Sequence, residues 1–267
     1  MSRALADLAV TVAREAADLV TSYRSGGVTV AATKTTDIDI VTEADRASER
    51  LIRDRLRASR PTDAFLGEEG DDEPGTSGVR WVIDPIDGTV NYLYGLPQYA
   101  VSIAAEVDGE VRAGVVLNPA TGTTYVAHVG DDGVATATRD GRPVAVRPAS
   151  PLERMLVGTG FSYDRGVRAL QARATLELLP RVRDIRRLGA CALDLCHVAE
   201  GLLDAYVEEG VNLWDHAAGA LVARAAGART ELMTGVGGNT LLLCAGADAF
   251  DEFRSAVVES GFAHAGQ

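Results

Sequence analysis

The segment Trp81-Val82-Ile83-Asp84-Pro85-Ile86-Asp87-Gly88-Thr89-Val90 places two carboxylates three positions apart, directly ahead of a Gly-Thr step. Carboxylates fixed where an apolar strand ends suit hard divalent cations such as Mg2+. A Gly-Thr step that opens the next element offers backbone N–H groups to an anion. Cation and anion in one turn point to metal-dependent chemistry on a phosphate. Asp-Pro and Asp-Gly are also ordinary turn dipeptides, so the pair needs support from elsewhere in the chain.

Two further segments give it. Ala64-Phe65-Leu66-Gly67 is an apolar run that ends in Glu68 and Glu69, and Leu213-Trp214-Asp215 opens an Ala-rich stretch. All three segments set an acid where an apolar element ends or begins. Aspartyl-phosphate enzymes of the haloacid dehalogenase type carry their two acids two apart. Asp84 and Asp87 are three apart with Pro85 between, which favours water over an aspartyl nucleophile.

The elements that must position these acids follow from patterning. Leu5, Leu8, Ala9, Val12, Ala16, Leu19 and Val20 recur at helical spacing, so residues 3–23 read as an amphipathic helix that Gly26-Gly27 ends. Residues 28–41 have strand or loop character. Thr42 reads as the cap of a helix running to about residue 59, with Glu43 and Asp45 in its first turn and Pro61 beyond its end. Residues 70–79 are polar and glycine-rich and read as a mobile loop. Between 99 and 146, alternation over Val101–Val107, Val111–Leu117 and Thr123–His128 predicts an antiparallel meander. Strands are then expected at Met155–Gly158, Leu202–Val207 and Leu241–Cys244. Helices are expected at Val167–Leu179, Cys191–Ala199, Trp214–Ala226 and Asp248–Val258. Such alternation predicts a mixed α/β (α+β) chain, 1–267 as one unit with a subdomain boundary near 148.

Composition bounds the function. With 38 acidic against 26 basic residues, the net charge is −12 over 267 residues. A chain this acidic argues against nucleic acid, whose binding needs Lys and Arg. It also repels anionic substrates unless cations reverse the local field. Apolar residues make 46% and aromatics 5%, so Ala, Val and Leu must fill the core. Cys191, Cys196 and Cys244 show neither CxxC nor zinc spacing and suit a reducing cytoplasm. The N-terminus lacks a signal-type apolar core, and no apolar run approaches the roughly 20 residues of a membrane span.

Three motifs together resemble the inositol monophosphatase family: Gly67-Glu68-Glu69, Asp84-Pro85-Ile86-Asp87-Gly88-Thr89 and Trp214-Asp215-His216-Ala217-Ala218-Gly219. Asp39-Ile40-Val41-Thr42-Glu43-Ala44-Asp45 matches that family's Asp-x-Val-Thr-x-x-Asp, and Gly158-Thr159-Gly160-Phe161 and Arg187-Leu188-Gly189 resemble its bacterial members. The resemblance implies a layered αβαβα sandwich of the inositol monophosphatase and sugar phosphatase type, a lithium-sensitive phosphomonoesterase, and a homodimer. It implies two or three Mg2+ per site. Glu68, Asp84 and the Ile86 carbonyl would hold the first, and Asp84, Asp87 and Asp215 the second. Glu68 would help hold a third and orient the attacking water, which Thr89 would polarise while bonded to Asp45. Asp87, Gly88, Thr89, Cys191, Glu208 and Asp215 would contact substrate, and Lys34 and Asp39 would sit on a closing flap.

Within the resemblance, Cys191 stands where relatives carry a small residue such as Ala, close to the substrate ring. Glu69 reads as an outer acid, Trp214 and His216 as packing residues, and Asp71, Asp72 and Glu73 as a solvated loop face. Glu209 competes with Glu208, which spacing back from Asp215 favours. Inositol monophosphate or a similar polyol phosphate is the expected substrate, with histidinol phosphate, fructose 1,6-bisphosphate and phosphoadenosine phosphate as competitors. Long insertions that serve bisphosphates are absent. A transcription- or ribosome-associated interaction protein is the alternative of a different class.

Overall fold

The computed structural model describes residues 1–26, 30–33 and 40–263, so Lys34 and Asp39 lie outside the described residues. In chain order, the first half comprises α1 (Ser2–Gly26), β1 (Val30–Thr33), β2 (Ile40–Thr42), α2 (Glu43–Ser59), β3 (Ala64–Gly67), β4 (Val79–Asp87), α3 (Thr89–Tyr94), β5 (Ala100–Val107), β6 (Glu110–Leu117), β7 (Thr124–Val129), β8 (Ala135–Arg139) and β9 (Arg142–Pro143). There follow β10 (Leu156–Thr159), α4 (Arg165–Leu178), β11 (Asp184–Arg186), α5 (Cys191–Ala199), β12 (Ala205–Glu209), α6 (Leu213–Ala225), β13 (Ala228–Thr234), β14 (Thr240–Gly246) and α7 (Phe250–Glu259).

Strands β3 to β9 lie side by side in chain order as one sheet, and β11-β10-β12-β14-β13 form a second. Helices α1 and α2 cover the outer face of the first sheet, where Leu5, Ala9, Val12, Ala16 and Ile52 meet Trp81, Ile83, Ile103 and Val115. Helices α5 and α6 fill the space between the sheets, packing Ala192, Leu195, Ala218 and Leu221 against Val82, Val116, Tyr206 and Leu242. Helix α7 closes the outer face of the second sheet through Phe250, Phe253 and Val257, with α4 beside it. The result is the expected αβαβα sandwich.

Small residues set its thickness. A Cβ on Gly219 would sit 2.8 Å from the Ala192 carbonyl oxygen, and one on Gly114 would sit 2.9 Å from Ala218 Cα. Helices α5 and α6 therefore touch each other, and α6 touches the first sheet, at backbone distance. Such close approach lets an Ala-rich, aromatic-poor chain fill its central layer. Helix α5 is tied at its far end as well, where the Glu200 carboxylate accepts from Tyr125 Oη at 2.6 Å and from Arg139 Nη1 at 2.7 Å.

Several expectations change. Asp84 and Asp87 belong to a bulged strand, not a turn: Asp84 faces Ser102 and Asp87 faces Ala100, so β4 carries one extra residue there. The bulge re-aims side chains at the strand end. The 70–79 loop is pinned. Phe65 and Glu73 exchange backbone hydrogen bonds of 2.9 and 2.8 Å, and the Glu73 carboxylate binds Arg53 and Arg57. Those two guanidinium groups hold the Glu73 carboxyl below its usual range, so Glu73 is not a free solvated acid. The strand expected at Leu202–Val207 runs from Ala205 to Glu209 instead and carries Glu208 within it. Strands β11 and β13 and the short helix α3 have no counterpart in the sequence reading.

Candidate active site

Parallel pairing of β3 with β4 brings the first two acidic segments together. Gly67 pairs with Ile83, and the Glu68 N–H donates to the Ile83 carbonyl at 3.1 Å. Glu68 therefore leaves β3 beside the point where Asp84 leaves the regular part of β4. The turn after β3 is anchored from α2. The buried Glu49 carboxylate accepts from the Glu69 N–H at 2.8 Å and from Arg53 Nε at 2.8 Å.

Across the cleft, β12 ends in Glu208 and Glu209, and the chain turns through 210–212 into α6. Asn212 and Asp215 form its capping box, so Asp215 sits in the first turn of the helix. Asp87 reaches α5, where its two carboxylate oxygens accept from the Cys191 N–H at 3.1 Å and the Ala192 N–H at 2.7 Å. Ala190, the N-cap of α5, has no side-chain acceptor. Asp87 supplies one from another strand and offsets the helix's N-terminal N–H groups.

Asp45 caps α2 with Thr42 through N–H···O bonds of 2.9 and 3.3 Å, and its other oxygen accepts from Thr89 Oγ1 at 3.1 Å. The expected Thr89–Asp45 contact is thus present. Thr89 Oγ1 also lies 3.1 Å from the Ile86 carbonyl.

Glu68, Asp84, Ile86, Asp87, Gly88, Thr89 and Asp215 all line one cleft of about 650 Å³. Asp84 is 1% exposed. Burial, then the charges of Glu68, Asp87 and Asp215, push its carboxyl well above the usual range. Burial and Asp215 do the same to Asp87, against the opposing N–H of Ala192. Among the described residues, no three His, Cys, Asp or Glu side chains close on one point as a finished metal cage. The donor set is nonetheless all oxygen, and among the described residues the cleft sets one basic side chain, Arg187, against seven acidic ones. That is the setting a hard divalent cation fits.

Residues 1–259 match the inositol monophosphatase family. The chain belongs to that family. It is accordingly a phosphoric monoester hydrolase. The inositol-1-monophosphatase SuhB of Mycobacterium tuberculosis strain H37Rv is 46% identical over 231 residues, covering 84% of this chain and 80% of that protein. The solved structure of Mycobacterium tuberculosis SuhB superposes with a TM-score of 0.84 at 41% identity, over 99% of both chains. The Nus factor SuhB of Pseudomonas aeruginosa is 40% identical over 203 residues, covering 74% of this chain and 73% of that one.

The remaining residues of this inositol monophosphatase family member sort themselves by contact. Glu208 lines the cleft and accepts from Tyr206 Oη. Glu209 does not compete: its carboxylate is taken by the Gly237 and Asn239 N–H groups at 2.7 and 3.1 Å. Cys191 lines the cleft, and burial pushes its thiol well up. Trp214 is half-buried at the rim and packs on the central layer. His216 is buried, and burial with the Arg224 charge drives its pKa to about 4, which makes it a neutral packing residue.

The sequence reading missed Glu49 and Asn91. Asn91 Nδ2 donates to the Gln98 carbonyl at 2.7 Å and the Leu188 carbonyl at 2.8 Å, clamping the approach to α5. Its place two residues after Thr89 was the available signal.

Gly88 makes the bend possible. Its φ is +90°, and a Cβ there would meet the Gln98 and Gly189 carbonyl oxygens at 2.9 and 3.0 Å. The left-handed backbone alone costs a substituted side chain roughly 1–2 kcal/mol. Gly88→Ala is expected to lower phosphate release about a hundredfold, the cost of misplacing a site by about 1 Å, with a modest fall in melting temperature. Parallel activity assays and thermal melts would check it. Full activity would show that the bend tolerates a side chain.

Proposed function

We propose that this chain hydrolyses inositol monophosphate, or a similar polyol phosphate, to the free polyol and phosphate by direct attack of water. The observation that carries the proposal is the meeting of Glu68, Asp84, Asp87 and Asp215 with Gly88-Thr89 in one cleft. Residues 1–267 act in this reading as one catalytic unit with a boundary near 148, between the end of the first sheet and the start of the second.

Mg2+, two or three per site, is the proposed cofactor. Glu68, Asp84 and the Ile86 carbonyl would hold one ion, and Asp84, Asp87 and Asp215 another, with Glu68 toward a third. When bound, the cations would neutralise the phosphate dianion and raise the acidity of water beside them. The chain's own groups then act around phosphorus. Gly88 and Thr89 present backbone N–H groups to the phosphate oxygens. Thr89 donates its hydroxyl hydrogen to Asp45, which leaves an Oγ1 lone pair to accept from the attacking water and aim it. Glu208, which also lines the cleft, accepts from hydroxyls of the leaving polyol. Cys191 closes the wall near the ring.

A homodimer is the proposed assembly. Tyr94 and Leu96, 78% and 54% exposed, give an apolar pair that a second copy would cover. The three cysteines are free and buried, which supports the cytoplasm as its compartment. No described helix is long and apolar enough to cross a membrane. The name Nus factor on the Pseudomonas relative favours a second reading, a transcription-associated role beside or in place of catalysis.

Phosphate release from inositol 1-phosphate, histidinol phosphate, fructose 1,6-bisphosphate and phosphoadenosine phosphate, each with Mg2+ and with EDTA, tests the proposal. Turnover with Mg2+ is expected to be greatest for inositol 1-phosphate and to vanish with EDTA. Stronger turnover of another ester would replace the substrate, and undiminished turnover in EDTA would remove the metal from the mechanism.

A further inference from the structure

The cleft is acidic with one exception among its described lining residues. Seven of its lining side chains are acidic, and Arg187 is the one basic side chain among the described residues that line it. The Arg187 guanidinium lies against Gly189, where any side chain would collide with Nη1. The Gly189 carbonyl in turn faces Gly88, at the start of the proposed phosphate cradle. Arg187 therefore sits beside that cradle, within charge range of Glu208.

Arg187 contributes to the charge balance around Glu208. Below the cleft wall lies Asp194, 1% exposed, in the first turn of α5. Burial raises the carboxyl groups of both Glu208 and Asp194; the Tyr206 hydroxyl and then the Arg187 charge draw Glu208 back down, and His197 and then Arg187 do so for Asp194. Without Arg187, the leaving-group end would present Glu208 above a second buried acid. Such a surface invites a leaving group that carries an ammonium. With Arg187 it offers one fixed donor and one acceptor, with one of the two acid charges offset, which matches vicinal hydroxyls.

We propose that Arg187 is a specificity-determining residue that rejects phosphate esters with a cationic leaving group and so reserves the cleft for polyol phosphates. Placing like charges together across a binding surface is an effective means of rejection. The inference rests on the phosphomonoesterase reading above. It assigns Arg187 no part in the attack on phosphorus.

The test compares kcat/KM for inositol 1-phosphate and for histidinol phosphate, an amino-alcohol ester, in the wild type, Arg187→Gln and Arg187→Lys. Arg187→Gln is expected to shift the ratio about tenfold toward histidinol phosphate, with the change carried by a lower KM for that ester. Arg187→Lys keeps the charge and is expected to hold the wild-type ratio within about twofold. An unchanged ratio in an active Arg187→Gln enzyme would overturn the proposal. An equal shift in Arg187→Lys would also overturn it, since shape and not charge would then be selecting. A wild type that hydrolyses neither ester would instead overturn the reading on which the proposal rests.

Discussion

Asp84→Asn is expected to lower phosphate release by about a hundred- to a thousandfold, while leaving the fold intact or firmer. The loss follows from its place between the two proposed cation positions, where charge stabilisation is commonly worth about 10²–10³ in rate for a single group. The gain in stability follows from its surroundings. The Asp84 carboxyl is buried among Glu68, Asp87 and Asp215 and sits well above the usual range. The folded chain thus holds that proton more tightly than the unfolded chain. Metal-free stability must then decline as pH rises past the ordinary carboxylate value. An amide removes this cost at 84. Without Mg2+, the variant should melt above the wild type, by roughly 2–4 °C for each kcal/mol or so relieved in a chain of this size. With Mg2+, the wild type should gain more than the variant. Wild-type turnover, or a lower metal-free melting temperature, would contradict this account. A transcription-associated role that needs no catalysis should survive the substitution.

Glu49→Ala should cost the most stability of any change that touches no substrate. Glu49 is 3% exposed, and its carboxylate faces the Arg53 guanidinium and the Glu69 N–H. Removing it leaves a buried cation short of one partner. Breaking a buried pair typically costs about 3–5 kcal/mol. Arg53 keeps Glu73 at 2.9 Å, so the lower end, about 3 kcal/mol, is expected. The same change frees the turn that carries Glu68, so kcat should fall even where the protein is folded. Glu49→Gln keeps an acceptor for the Glu69 N–H and should recover part of the activity but little of the ion pair. Denaturant melts with kcat measured well below the transition would decide it. A variant melting within about 0.5 kcal/mol of wild type would show that this pair is not what holds the turn.

How far the sequence reveals this site depends on the reach of each interaction. Asp84, Asp87, Gly88 and Thr89 are legible because their chemistry is packed into six consecutive residues, and Thr42 because helix capping is local. Glu68 and Asp215 are legible as acids at element ends, although only the pairing of β3 with β4 and the helix cap at Asn212 bring them to one cleft. Glu49 was not legible: an acid and an arginine at i,i+4 on a helix read as a surface ion pair, and only packing against the Glu68 turn buries them. The 70–79 loop misled in the opposite sense. Its composition reads as mobile, yet the Phe65–Glu73 bridge and two arginines hold it. Strand β13 escaped because its side chains are mostly half-exposed, so its alternation lacks an apolar face. Residues Lys34 and Asp39, expected on a flap, lie outside the described residues.

Helix α5 has an anchor at each end. Asp87 grips its first turn from the cleft, and Glu200, just past its last, is gripped by Tyr125 and Arg139 from β7 and β8. Nine residues of α-helix span about 13 Å, so one stiff rod joins the acidic corner to a distant edge of the first sheet. A rod fixed at both ends does not fray; it tilts. A disturbance at Tyr125 or Arg139 would therefore reach Asp87 as a change of angle, shifting both carboxylate oxygens together, and not as a local loosening.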